Sequence, residues 1–156
     1  MKTYAYYPGC CTSKGTGTAF SVSTYAVAEP LGLKLVEVED WNCCGATPYS
    51  STNELEAICI AARNLVLAEK TGMELVTPCS DCYIILKKAH TDITQNPELK
   101  KKVDECLLAG DMKYNGTVNV RHLFDVVYTD VGLDYIKSKV TRPLKGLKAA
   151  SYYGCQ

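Results

Sequence analysis

Apolar and polar positions change period repeatedly along this chain, and each change marks an element. Thr3-Tyr4-Ala5-Tyr6-Tyr7 is a short β-prone run stopped by Pro8-Gly9, and it reads as a first strand. Residues 18–29 follow with helical spacing, which makes Phe20, Tyr25, Val27 and Ala28 candidate core contacts before Pro30-Leu31-Gly32 ends the helix. Leu33-Lys34-Leu35-Val36-Glu37-Val38 alternates like a strand with one wetter face. Ser51-Thr52-Asn53-Glu54 has the form of a capping box ahead of a helical stripe of Leu55, Ile58, Cys59, Ala62, Leu65 and Val66, with Gly72 as its stop. Met73-Glu74-Leu75-Val76-Thr77 is a third strand broken by Pro78, and the helix after it carries Tyr83, Ile84 and Leu86. Asn96-Pro97 supplies an N-cap and a first-turn proline for another helix, whose stripe is Leu99, Val103, Cys106 and Leu107 and whose end is Gly110. Val118-Asn119-Val120 reads as a fourth strand before a helix with Leu123, Phe124, Val127 and Tyr128. A helical piece over residues 133–140 and a strand over residues 147–153 complete the pattern.

Strands alternating with helices predict an α/β domain, with a mostly parallel sheet of about four strands flanked by helices. Ligands of such sheets gather outside the carboxyl ends of the strands. Composition narrows the partners. Lys+Arg and Asp+Glu both number 17, so no charge excess points to nucleic acid or an acidic membrane surface. No apolar run reaches the roughly 20 residues of a membrane span. Met1-Lys2-Thr3 lead directly into a strand without a secretory leader pattern, which favours a cytoplasmic protein. Lys14-Gly15-Thr16-Gly17-Thr18 has neither the Gly-Lys-Ser/Thr order of a phosphate loop nor a third glycine, and reads as a turn.

Nine cysteines change the picture. In a reducing compartment that usage points to metal or thiol redox chemistry ahead of a disulfide scaffold, and an odd total fits pairing poorly. Five of them form a pattern: Cys10, then 32 residues, Cys43-Cys44-Gly45, then 33 residues, and Cys79-Ser80-Asp81-Cys82. Each group follows a predicted strand, so a parallel sheet brings all three to its carboxyl edge. Cys79 and Cys82 sit where a helix begins, and free N–H groups there favour thiolate. Gly45 lets the backbone turn sharply after the adjacent pair. A tetrahedral zinc or a cubane [4Fe–4S] cluster takes four ligands, so five thiols leave open a spare, a catalytic thiol or a larger, more open cluster. Cys59 and Cys106 fall inside apolar stripes and read as core. His90 lies on a polar helix and reads as solvated, whereas His122 opens a helix at the sheet's carboxyl edge, as a backbone-bonded histidine or a proton donor. Arg63 reads as an ion-pair or anion contact.

This cysteine pattern resembles the cysteine-rich CCG domain of the heterodisulfide reductase B subunit, found more distantly in iron–sulfur subunits of glycolate and lactate oxidases and in thiol:fumarate reductase. Tyr7-Pro8-Gly9-Cys10, Cys43-Cys44-Gly45, Ala61-Ala62-Arg63-Asn64-Leu65, Pro78-Cys79-Ser80-Asp81-Cys82-Tyr83 and Val120-Arg121-His122-Leu123 carry the resemblance. It implies a noncubane [4Fe–4S] cluster on Cys10, Cys43, Cys44, Cys79 and Cys82, at the carboxyl edge of the strands. It also implies reduction of a small-molecule disulfide, the coenzyme M–coenzyme B disulfide of methanogenesis or a related one. Electrons would come from the ferredoxin-like C subunit of heterodisulfide reductase, itself fed by the flavin-carrying A subunit. Cys11 has no counterpart in that pattern. The alternatives are an electron-transfer subunit of a glycolate or lactate oxidase-like complex and a structural zinc domain. The B subunit usually carries two CCG domains, and this chain has one. Tyr152-Tyr153-Gly154-Cys155 echoes Tyr6-Tyr7-Pro8-Gly9-Cys10, so residues 1–146 read as one CCG domain. Residues 147–156 then read as the start of a second, with Cys155 a ligand of its cluster and a second CCG half or a homodimer as partner.

Overall fold

The computed structural model describes residues 1–10 and 17–151. Four strands, β1 (Lys2–Tyr6), β2 (Leu33–Glu37), β3 (Leu75–Thr77) and β4 (Val120–His122), form one sheet in the order β2-β1-β3-β4. Every pairing is parallel, with Lys2 opposite Leu33, Ala5 opposite Leu75 and Thr77 opposite His122. Parallel neighbours need crossovers, and helices supply them. These are α1 (Thr18–Ala28), α2 (Ala46–Thr52), α3 (Glu54–Glu69), α4 (Ser80–Gln95), α5 (Pro97–Leu108), α6 (Leu123–Val126) and α7 (Leu133–Lys139). A π-helical turn, Val127–Val131, joins α6 to α7.

Side chains alternate across a strand, so the sheet feeds two cores, with β1 and β3 contributing to both. Ala5, Leu75 and Val120 face a large one built with Leu65, Val66, Leu86, Ile93 and Val103 from α3, α4 and α5. Tyr4, Leu33 and Val76 face a smaller one with Ala28, Leu31 and Val126. The thinness of that second layer corrects the expectation for α1. Phe20, Tyr25 and Val27 are 47%, 40% and 53% exposed, and of the four candidates only Ala28 is buried. Phe20, Val27 and Ala28 line an apolar groove shared with Leu123 and Phe124 instead of lying beneath another helix.

Other differences have local causes. Ser51 and Thr52, read as the start of a capping box, are helical in α2, and Asn53 is the residue that caps α3, accepting from the Glu56 N–H. Asn96 caps α5 through Glu98 and Leu99, with Pro97 in the first turn, as the sequence predicts. On α5 the buried positions are Val103 and Leu107, and Cys106, rotated off that line, is exposed. Cys59 is partly buried at the core's margin. The fourth strand lies two residues later than Val118-Asn119-Val120, although Val118 is buried. Residues 147–151 are exposed and outside the sheet, so the described part of the expected strand 147–153 is not one. Cys11, most of the turn at residues 14–18, and the Tyr152–Cys155 echo lie outside the described residues.

Candidate functional site

Parallel strands put all four carboxyl ends on one side, and the segments leaving three of them carry the cysteine groups. Cys10 follows β1, Cys43 and Cys44 follow β2, and Cys79 and Cys82 follow β3. Their sulfurs meet. The Cys43 Sγ lies 3.6 Å from the Cys10 Sγ, and the Cys44 Sγ lies 3.5 Å from the Cys82 Sγ. Thiol contacts between Cys43 and Cys44, and between Cys82 and Cys79, link the rest. The five thus form a continuous row from three separate stretches of chain. Cys10 and Cys43 are exposed, whereas Cys44 and Cys82 are each 3% exposed. One end of the row is open and the other is sealed.

Two glycines make this approach possible. Gly9 has φ +78°, and a Cβ there would stand 3.0 Å from the Cys82 Sγ, so a side chain would push the row apart. Gly45 has φ +89° and is followed by Ala46 at φ +40°. That reversal immediately after the pair frees Cys43 and Cys44 from the opposite-facing arrangement of an extended strand. Beneath them, Tyr7 is fully buried and donates its hydroxyl to the Asn42 carbonyl at 2.7 Å.

The thiols differ in acidity. The Cys79 thiol, at the N-cap of α4, is lowered to about 6, chiefly by a hydrogen bond with Cys82 and further by the backbone N–H groups of Cys82 and Asp81. Cys44 is lowered to about 7, first by its hydrogen bond with Cys82. Cys82 moves strongly upward because its S–H serves both neighbours as donor and is buried. With Cys79 and Cys44 lowered beside Cys82, the row is a soft, readily ionised donor set. Sulfurs on one tetrahedral metal atom stand about 3.8 Å apart, given metal–sulfur bonds of about 2.3 Å. The pair contacts match that spacing. However, among the described residues no three His, Cys, Asp or Glu side chains surround a common metal-sized point. A row of five sulfurs suits a body several atoms across better than a single ion. The donor set therefore fits an iron–sulfur cluster.

His122 ends β4 on the same edge. Its Nδ1 accepts from the Phe124 N–H at 3.2 Å, which leaves the ring proton on Nε2. The Nε2 is buried beside the Pro78 carbonyl without a hydrogen bond of normal geometry, and burial lowers the ring's pKa. Tyr83 packs edge-on and Phe124 stacks on the ring. His90, expected in solvent, instead pairs its Nδ1 with the Tyr114 hydroxyl at 2.7 Å, because α4 turns that side toward a buried tyrosine. Arg63 pairs with Asp40 and reaches the Asn42 side chain at 2.9 Å. An open depression beside Cys43 is lined by Trp41, Tyr49, Ile60 and Arg63. Sequence reasoning gave no role to Asn42, Asn64 or Tyr7. The available signal was Asn64, an asparagine inside an otherwise apolar helical stripe.

The profile of the cysteine-rich domain (CCG) matches residues 4–87. The chain is 37% identical over 155 residues to the 8-methylmenaquinol:fumarate reductase membrane anchor subunit of Wolinella succinogenes, covering 99% of this chain and 53% of that protein. It is 34% identical over 134 residues to the B subunit of the ferredoxin/F420H2-dependent CoB-CoM heterodisulfide reductase of Methanosarcina acetivorans, covering 85% and 44%. A protein of Archaeoglobus profundus described as like the heterodisulfide reductase B subunit is 33% identical, covering 99% and 52%. The chain thus spans about half the length of the curated relatives it matches. Among solved structures, a hypothetical protein from Helicobacter pylori has the same fold, with TM-score 0.67, 21% identity, and coverage of 81% of this chain and 25% of that one.

Proposed function

This chain belongs to the cysteine-rich CCG domain family, and on that premise we propose that it is a disulfide-reducing half-subunit of the heterodisulfide reductase B type. Its Cys10, Cys43, Cys44, Cys79 and Cys82 would hold a noncubane [4Fe–4S] cluster. The observation that carries the reading is the row of five sulfurs from three strand ends at one edge. Bound there, the cluster would supply one-electron transfer, so that two electrons from a ferredoxin-like partner and two protons turn one S–S bond into two thiols. The chain's residues bind and shield. Cys44 and Cys82 anchor the sealed end, and Tyr7 closes the floor. Cys10 and Cys43 leave the other end open to a disulfide, and Trp41, Tyr49 and Ile60 offer it an apolar wall. The coenzyme M–coenzyme B disulfide is the substrate suggested by the Methanosarcina relative. The ferredoxin-like C and flavin-carrying A partners, in the cytoplasm, would supply electrons, and a second CCG half would cover the open end, with Cys155 serving that half.

A second reading is favoured by the Wolinella relative: a subunit that passes electrons from a quinol without disulfide chemistry. Among the described residues no helix is long and apolar enough to cross a membrane.

The deciding experiment is iron and sulfide analysis with electron paramagnetic resonance on anaerobically reconstituted chain, beside its Cys44→Ser and Cys106→Ser variants. The expectation is an iron–sulfur signal lost or converted in C44S and intact in C106S. Full iron with an unchanged spectrum in C44S would replace the five-cysteine cluster by a four-cysteine one. Zinc alone in the unmutated chain would replace both by a structural site. Disulfide turnover with a reduced dye, assayed together with a second CCG half, separates the reductase from the electron carrier.

A further inference from the structure

The segment between β2 and α2 carries Cys43 and Cys44, yet among the described residues no strand pairs with it. The sheet ladder stops at the bond from Val38 N–H to the Tyr6 carbonyl, 2.9 Å long. Beyond that point the backbone must find other partners or leave buried polar groups unpaired. For Asn42 one side chain meets both backbone groups. Asn64, on α3 and 1% exposed, accepts the Asn42 N–H on its Oδ1 at 2.9 Å and donates its Nδ2 to the Asn42 carbonyl at 2.9 Å. A carboxamide has the donor and acceptor of a peptide group, so Asn64 acts as one rung of a missing strand. The Tyr7 hydroxyl donates to the same carbonyl, and Arg63 donates to the Asp40 carbonyl and the Asn42 Oδ1, at 2.6 and 2.9 Å. Asn42 Nδ2 in turn donates to the Cys43 carbonyl at 2.8 Å.

We infer that Asn64 is a positioning residue: its buried amide fixes the Asn42 peptide and thereby presets the Cys43–Cys44 pair before any metal arrives. The inference rests on the proposed function only in taking those two cysteines as ligands. An aspartate at 64 keeps the acceptor for the Asn42 N–H but turns an oxygen toward the Asn42 carbonyl. An alanine leaves both Asn42 groups without the amide that pairs them.

The test compares iron-free 156-residue chain with Asn64→Ala, Asn64→Asp, Tyr7→Phe and, as a core control on the neighbouring buried residue, Leu65→Ala. Two readouts are followed: amide exchange of the peptide holding residues 40–44 and the alkylation rate of Cys44. Asn64→Ala is expected to raise both by roughly fivefold to thirtyfold over Leu65→Ala at matched thermal midpoint, the span of one or two lost hydrogen bonds. Asn64→Asp is expected to fall between, and iron uptake to drop in the same order. Equal exchange and alkylation in Asn64→Ala and Leu65→Ala overturns the inference. If the alanine variant does not fold, Asn64→Asp and Tyr7→Phe, which each remove one bond to the Asn42 carbonyl, are compared with the control in its place. An unmutated chain that takes up no iron would overturn the cluster reading, while slow, Asn64-dependent exchange at residues 40–44 would still uphold the positioning role.

Discussion

Cysteines of one chain are not one population. The Cys59 thiol is pushed up to about 12 by burial and by the neighbouring Cys106 thiol, whereas Cys106 is exposed. Alkylation reacts with thiolate, so at pH 8 iodoacetamide is expected to label Cys106 and spare Cys59 in the folded chain. Unfolding the chain in urea at the same pH recruits Cys59, and peptide mapping by mass spectrometry reads the order. Labelling of Cys59 at pH 8 at the rate of Cys106 would mean that the two thiols are not held together. The sequence placed both residues in apolar stripes and could not separate them. An α-helix turns about 100° per residue, and that angle puts Cys106 at the flank of the line through Val103 and Leu107. That the five pattern cysteines converge was legible because their spacing and the strand ends agree. Asn64 was not, since its role depends on Asn42, 22 residues away in the chain.

The elements were legible where a cap or a stop residue marks them, as at Asn96-Pro97 and Gly72. They were not where tertiary contacts decide, as for α2, which the sequence did not mark as an element, and α1, whose apolar side meets a groove. The π-helical turn was also invisible from the sequence. It sets Asp130 where Arg121 reaches it with two nitrogens, at 3.0 and 2.9 Å, while Lys2 and Tyr4 of β1 donate to the same carboxylate. One acid thereby ties the turn to both β1 and β4. Asp130→Ala is expected to cost about 2 kcal/mol, the scale of hydrogen bonds to a charged group, read as a shift in the urea midpoint. Its carboxyl is held well below the usual carboxylate range, chiefly by Arg121. The stabilisation is therefore complete above the unfolded value near ~4 and is lost as pH falls below it. An acid-unfolding profile identical to that of Asp130→Ala would contradict the tie.

At the scale of the molecule, the end of the chain from α6 onward leaves large apolar side chains in water. Phe124, Tyr128 and Leu133 are 74%, 64% and 51% exposed, and Leu144 and Leu147 in the segment after α7 are 79% and 65% exposed. Large apolar side chains left in water favour association. Sedimentation of this chain alone is expected to show concentration-dependent self-association, reduced by a Phe124→Ser, Leu133→Ser double variant whose circular dichroism is unchanged. A monomer at every concentration would count against it. The strand order has a consequence in time. No two neighbours in β2-β1-β3-β4 are joined by a hairpin, so every pairing waits for a crossover to close, and non-local pairings form slowly. Cys10, Cys43 and Cys79 are therefore strangers during most of the search and neighbours only when it ends. Metal offered to a growing or refolding chain meets Cys10 and then two local thiol pairs, one after another, while metal offered to the finished sheet meets the whole row at once.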